Sequence, residues 1–148
     1  MTDPFRTVHH VCIVVSDIEA AVRFYESISI SGWQEYPPLV DYTDLNVPDN
    51  DAFFAMKYKY TDAPGLQLQL CEPNDGPSPQ RKFLDRTGDG VFHIGFVVDD
   101  VDDATEQVHS LGMKTWMYGR RGNRTGFTYF RTPEIAGVTL EVRQSPTS

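Results

Sequence analysis

The chain has 148 residues, 40% of them hydrophobic and 23% charged, which suits one soluble globular domain with a core of ordinary size. A formal net charge of −8 argues against nucleic acid as a partner, because binding there needs clustered Lys and Arg to displace counterions. No apolar run approaches the roughly 20 residues that cross a bilayer, and the start Met-Thr-Asp-Pro-Phe-Arg lacks the basic and apolar regions of a secretory signal, so no membrane partner and a cytoplasmic location are expected.

The first element is an apolar, β-branched strand, Val11 to Val15, opened by His10. Ser16-Asp17 offers an N-cap, and Ile18, Ala21, Val22, Tyr25 and Ile28 then fall at helical spacing. Proline and glycine clusters punctuate the next stretch, which reads as strands near 33–36, 52–60 and 66–71. Residues 74–89 form a linker whose last part, 80–86, reads as a short helix. A second strand follows at 93–98, capped by Asp99-Asp100 and continued by a helix from Val101 to Leu111 with Gly112 as its stop. Strands near 115–118, 126–131 and 138–143 complete the chain.

The second half repeats the first. His10 and His93, the Asp-containing helix starts, and Trp33 and Trp116 recur at a constant offset of 83 residues. The expected architecture is therefore α+β: a single domain, 1–148, made of two βαβββ modules at about 7–73 and 90–144, whose mixed sheet forms a cup. Cys12 and Cys71 are expected as small buried thiols.

Strand parity selects the residues that carry chemistry. In Leu66-Gln-Leu-Gln-Leu-Cys71 the leucines take one face while Gln67, Gln69 and Cys71 take the other; in Val138 to Arg143 the apolar residues oppose Thr139, Glu141 and Arg143. Apolar faces belong under helices, so the polar faces line the cup. Each half then offers one histidine from its first strand and one oxygen donor from its last, giving His10, Gln69, His93 and Glu141, with His9 the rival to His10. Two imidazoles, a carboxylate and an amide carbonyl suit Zn²⁺, Co²⁺, Ni²⁺, Mn²⁺ or Fe²⁺ and leave positions open for a substrate. Arg120, Arg121 and Arg124 are the one dense basic cluster and are expected to hold an anionic substrate group.

Four stretches, His10 to Tyr25, Leu68 to Pro73, Val91 to Val101 and Phe130 to Glu141, resemble the vicinal oxygen chelate superfamily of glyoxalases, bleomycin resistance proteins and dioxygenases. Within it the set His10, Gln69, His93, Glu141 looks most like methylmalonyl-CoA epimerase-like members, as do Gln67 to Asp75 and Gly122-Asn-Arg124. The resemblance implies the vicinal oxygen chelate fold, a divalent metal on those four residues, a homodimer, and a small carbonyl substrate, anionic or an acyl-CoA. It implies an isomerase or epimerase that moves a proton alpha to a carbonyl. Glu141 is the one ionisable carboxylate placed beside the metal, which makes it the expected ligand and proton carrier, with Asp51 or Tyr58 the weaker candidates for the opposite face. The alternatives are an Fe(II) extradiol-type dioxygenase and a ligand-sequestering resistance protein. The resembling epimerases carry a glutamate in the strand before the Gln69 position, where this chain has Asp51 to Lys57, and a His-Pro-Lys where it has Arg131-Thr-Pro-Glu134.

Overall fold

A computed structural model describes residues 3–146. The chain divides into two compact units: one comprises 10–39 and 48–92, the other the described residues up to His9, 40–47 and everything from His93 onward. The elements in chain order are β1 (Val8–Val14), α1 (Ile18–Ser27), β2 (Gln34–Glu35), β3 (Asp44–Asn46), α2 (Asn50–Phe54), β4 (Lys57–Ala63), β5 (Leu66–Glu72), α3 (Pro79–Thr87), β6 (Gly90–Val97), α4 (Val101–Ser110), β7 (Thr115–Arg120), β8 (Gly126–Phe130), α5 (Pro133–Ala136) and β9 (Thr139–Gln144). Among the described residues no helix is long and apolar enough to cross a membrane.

In the first unit the strands lie in the order β2-β4-β5-β1, with β1 parallel to β5 and the other neighbours antiparallel. Ile13 sits opposite Leu70, and this face carries the core: Val15, Ile18, Val22 and Leu70 are buried together, with Ile13, Tyr25 and Trp33 packed on them. The α1 helix starts where expected because Asp17 accepts from the Ala20 amide at 3.0 Å, satisfying one of the donors a helix start leaves open.

The second unit runs β6-β9-β8-β7-β3, with β6 parallel to β9. Its core lies under α4, where Val101, Ala104, Val108, Phe130 and Val142 are buried. Asp100 caps α4 through the Asp103 amide, and Gly112 takes the positive φ of 94° that a helix stop favours.

Three features depart from the expected elements. Residues 50–54 are helical, so the strand expected at 52–60 begins only at Lys57. Asp49 accepts from the Ala52 amide at 2.8 Å and turns the chain into one helical turn, too short for a helical period to register against the strand-like aromatic content of Phe53 and Phe54. The short strand β3 has no strong apolar pattern of its own and exists by pairing with β7, Leu45 opposite Gly119. The third is α5, one turn starting at Pro133 and ended by Gly137 in the left-handed region.

Candidate functional site

Register places the candidate donors in matching positions within each unit. In the first, His10 is opposite Gln67 and Cys12 opposite Gln69; in the second, His93 is opposite Thr139 and Gly95 opposite Glu141. Each histidine thus sits on the first strand of its unit, and each oxygen donor lies two residues further along the parallel neighbour, on the same face. All four side chains are buried.

In the second unit His93 Nε2 stands 3.5 Å from Glu141 Oε2, with the two residues 1% and 4% exposed. Tyr129 is opposite Glu141 on β8, and its ring lies 4.8 Å from the His93 ring. Burial pushes the Glu141 carboxyl above the usual glutamate range, against the opposing influence of His93, Arg143, His9 and the Tyr129 hydroxyl. Arg143 lies two residues beyond Glu141 on the same face, and its Nη1 meets the His9 ring at 2.9 Å. His9, weighed in the sequence as an alternative to His10, belongs to the unit of Glu141 and partners Arg143.

In the first unit the orientation of the Gln69 amide is set by a relay. Gln69 Nε2 donates to Gln67 Oε1 at 2.8 Å, and Gln67 Nε2 donates to Asp62 Oδ1 at 3.0 Å. An ionised carboxylate only accepts, so Asp62 fixes Gln67, and Gln67 turns the nitrogen of Gln69 toward itself. The carbonyl oxygen of Gln69 is the amide atom left outside this relay. Tyr60 is opposite Gln69 and Tyr58 opposite Cys71, which puts both tyrosines on this face, and Tyr36 packs at 5.5 Å from Tyr58 and 6.2 Å from Tyr60.

The other residues singled out from the sequence are placed as follows. Asp51 stands exposed in the first turn of α2. Arg120 is buried on the α4 side of β7 and donates to Asp102 Oδ1 at 2.9 Å and to Thr128 at 2.8 Å. Arg124 binds both Asp102 and Asp44, at 3.0 and 2.9 Å. Two of the three arginines are therefore already engaged by carboxylates, and Arg121 differs from both: it is 9% exposed, its Nη2 donates to the Tyr42 hydroxyl at 2.9 Å, and its guanidinium lies 4.5 Å above the Tyr42 ring. Cys12 and Cys71 are buried and outside any disulfide among the described residues, and burial pushes the Cys71 thiol up to about 12.

Sequence reasoning missed Asp62, Gln67 and Arg143 as partners of the donors, although period-2 parity from Gln69 and Glu141 puts Gln67 and Arg143 on the donor face. Nothing local pointed to Tyr42, which meets Arg121 across 79 residues of sequence.

Residues 9–130 match a sequence model of the glyoxalase/bleomycin resistance protein/dioxygenase superfamily. No curated protein sequence matches. Among solved structures, methylmalonyl-CoA epimerase from Mycobacterium tuberculosis is 22% identical, covers 99% of this chain and 93% of its own, and superposes with a TM-score of 0.72. A methylmalonyl-CoA epimerase in complex with methylmalonyl-CoA and ammonium is 23% identical over 96% of each chain, with a TM-score of 0.70. A hypothetical protein from Bacillus halodurans is similar at 18% identity, 94% of each chain and a TM-score of 0.70. These likenesses show the vicinal oxygen chelate fold, and the family match spans well over half of the sequence: the chain belongs to the glyoxalase/bleomycin resistance protein/dioxygenase superfamily.

Proposed function

We propose that this protein is a divalent-metal-dependent isomerase or epimerase that transfers a proton at a carbon next to a carbonyl. The observation that carries the reading is the repeated register: a buried histidine on the first strand and a buried oxygen donor two residues along its parallel neighbour, once as His10 with Gln69 and once as His93 with Glu141. Those four residues would hold the ion, and the donor chemistry fits it. Two imidazoles, a carboxylate and an amide oxygen turned outward by Gln67 suit a borderline or hard divalent cation and need no thiolate. When bound, such an ion acts as a Lewis acid that stabilises negative charge developing on a carbonyl oxygen.

Glu141 is the proton carrier in this reading. Burial raises its pKa, while His93, Arg143 and His9 favour the ionised form, and its place beside His93 puts it where a proton at the substrate would be moved. Tyr58, on the Gln69 face, is the better of the two candidates for a second carrier, because Asp51 is exposed on α2. The methylmalonyl-CoA bound by the similar epimerase supports a small acyl thioester or related carbonyl compound as substrate. The same reading has the protein act as a cytoplasmic homodimer.

The test is solvent exchange. Metal-reconstituted protein incubated in deuterated water with a panel of acyl-CoA and 1,2-dicarbonyl compounds should place deuterium at the α-carbon of one class without consuming oxygen. Oxygen uptake with an Fe²⁺ requirement would replace the proposal with the dioxygenase alternative, and binding without exchange would replace it with ligand sequestration.

A further inference from the structure

Among the described residues Arg121 is a buried cation without a counterion. It is 9% exposed, its Nη1 is buried without a hydrogen-bond partner, and no carboxylate among the described residues forms an ion pair with it. A guanidinium stays charged at any physiological pH, and leaving a buried charge uncompensated is strongly unfavourable, so an arginine in this state calls for an anion from outside the chain. Its neighbours Arg120 and Arg124 show the contrast, since Asp102 and Asp44 already meet their charge.

The surroundings hold the guanidinium still. Tyr42 provides both its hydroxyl, at 2.9 Å from Nη2, and its ring, 4.5 Å below the guanidinium carbon. The Tyr42 ring in turn packs edge-on against Phe127 at 5.0 Å, and both close over Gly119, where an added Cβ would come within 2.7 Å of Phe127. Phe127 packs at a tilt against Tyr129 at 5.0 Å, and Tyr129 lies likewise tilted against His93 at 4.8 Å. A continuous aromatic row thus leads from Arg121 to the His93 and Glu141 pair on one face of the unit. Gly119 is opposite Phe127 and Phe127 opposite Arg143, and the Arg121 amide continues the ladder to the Thr125 carbonyl at 2.7 Å, so Arg121 shares the face of Glu141. It lies two strands over and four residues along, on the order of 15 Å at the backbone from strand spacings of about 4.8 Å and rises of about 3.3 Å.

We infer that Arg121 and Tyr42 form an oxyanion site for the far end of the ligand, and that the substrate is an extended carbonyl compound carrying a carboxylate or phosphate remote from its reacting carbon. The unpartnered Nη1 supplies the donor to an anion that enters beside it, Tyr42 fixes the plane, and the buried aromatic row from Phe127 to Tyr129 bridges the distance to the His93 and Glu141 pair. Calling this anion part of the substrate rests on the proposed function, whereas anion binding itself does not, and the experiment separates them by using metal-free protein.

The full-length chain, stripped of metal with chelator and held at constant ionic strength with sodium chloride, is titrated with sodium phosphate and, separately, with sodium glutarate, following Tm. The expected result is a saturable rise of several degrees with at least one anion, with the stronger of the two identifying phosphate or carboxylate as the partner. Arg121→Met should abolish the saturable rise and should be at least as thermostable as wild type without anion; Tyr42→Phe should weaken apparent affinity several-fold; Arg124→Met should leave the response intact. A wild-type protein that responds to neither anion, an Arg121→Met protein that responds like wild type, or equal loss in Arg124→Met would overturn the inference. Should Arg121→Met fail to fold, an unchanged affinity in Tyr42→Phe would overturn it equally.

Discussion

Gln69 hands its amide nitrogen to Gln67 along one face of β5, at 2.8 Å, and that hydrogen bond leaves its carbonyl oxygen, and not its nitrogen, as the atom the proposed metal site would use. The relay ends on Asp62, an acceptor when ionised, so the orientation propagates from a surface carboxylate to a buried amide.

Gln67→Leu should therefore weaken divalent-metal affinity by roughly tenfold, the low end of what loss of a ligand's supporting hydrogen bond costs. The folded content measured by circular dichroism should not change. Competition titration against a fluorescent chelator reads the affinity, and an unaltered value would remove the relay from the account.

Asp102 links α4 to the β7–β8 hairpin through Arg120 and Arg124. Burial alone would raise its pKa, but hydrogen bonds and charge from Arg124 and Arg120 outweigh this and hold it below its ordinary 3.8. A carboxyl with a lowered folded-state pKa contributes stability that is complete above the ordinary value and is lost as pH falls through the lowered one. Asp102→Asn should lower Tm near neutral pH and flatten its decline below about pH 4. Parallel Tm curves for the two proteins across that range would contradict the role given to Asp102.

Cys71 is buried, its sulfur 3.7 Å from that of Met56, and its thiol is pushed up to about 12 by burial. Since the thiolate is the reactive form, neither Cys71 nor the buried Cys12 should take up iodoacetamide at pH 8 in the native protein, and both should do so in guanidinium. Mass spectrometry counts the adducts, and rapid native labelling of Cys71 would show that its strand opens far more readily than its packing implies.

How much of this was legible beforehand follows from the range of each interaction. The face of β5 was legible because alternation in Leu66 to Cys71 is local, and the pairing of Ile13 with Leu70 under α1 bears it out. The two histidines were legible because the repeat is carried in sequence. The strand β3 was not, since it forms only by pairing with β7, from Asn46 opposite Tyr118 to Asp44 opposite Arg120. The unequal fates of the three arginines were equally hidden: Arg120 and Arg124 meet Asp102 some twenty residues away, while Arg121 meets Tyr42 across 79. Composition marked a basic cluster and could not say which member kept its charge uncompensated.

His93→Ala and Glu141→Ala each remove one donor from a pair 3.5 Å apart, and His10→Ala and Gln69→Ala remove the donors of the equivalent register. The direct measurement is metal content by mass spectrometry of protein purified without chelator and dialysed to equilibrium, for wild type and the four variants, with circular dichroism confirming the fold. The account predicts about one divalent ion per chain in wild type, and less than a tenth of that in His10→Ala, His93→Ala and Glu141→Ala, with Gln69→Ala retaining an intermediate amount because an amide oxygen is the weakest of the four donors. Stoichiometric metal in both His10→Ala and Glu141→Ala, or none in a wild-type protein reconstituted with Co²⁺, Ni²⁺, Zn²⁺, Mn²⁺ or Fe²⁺, would contradict it.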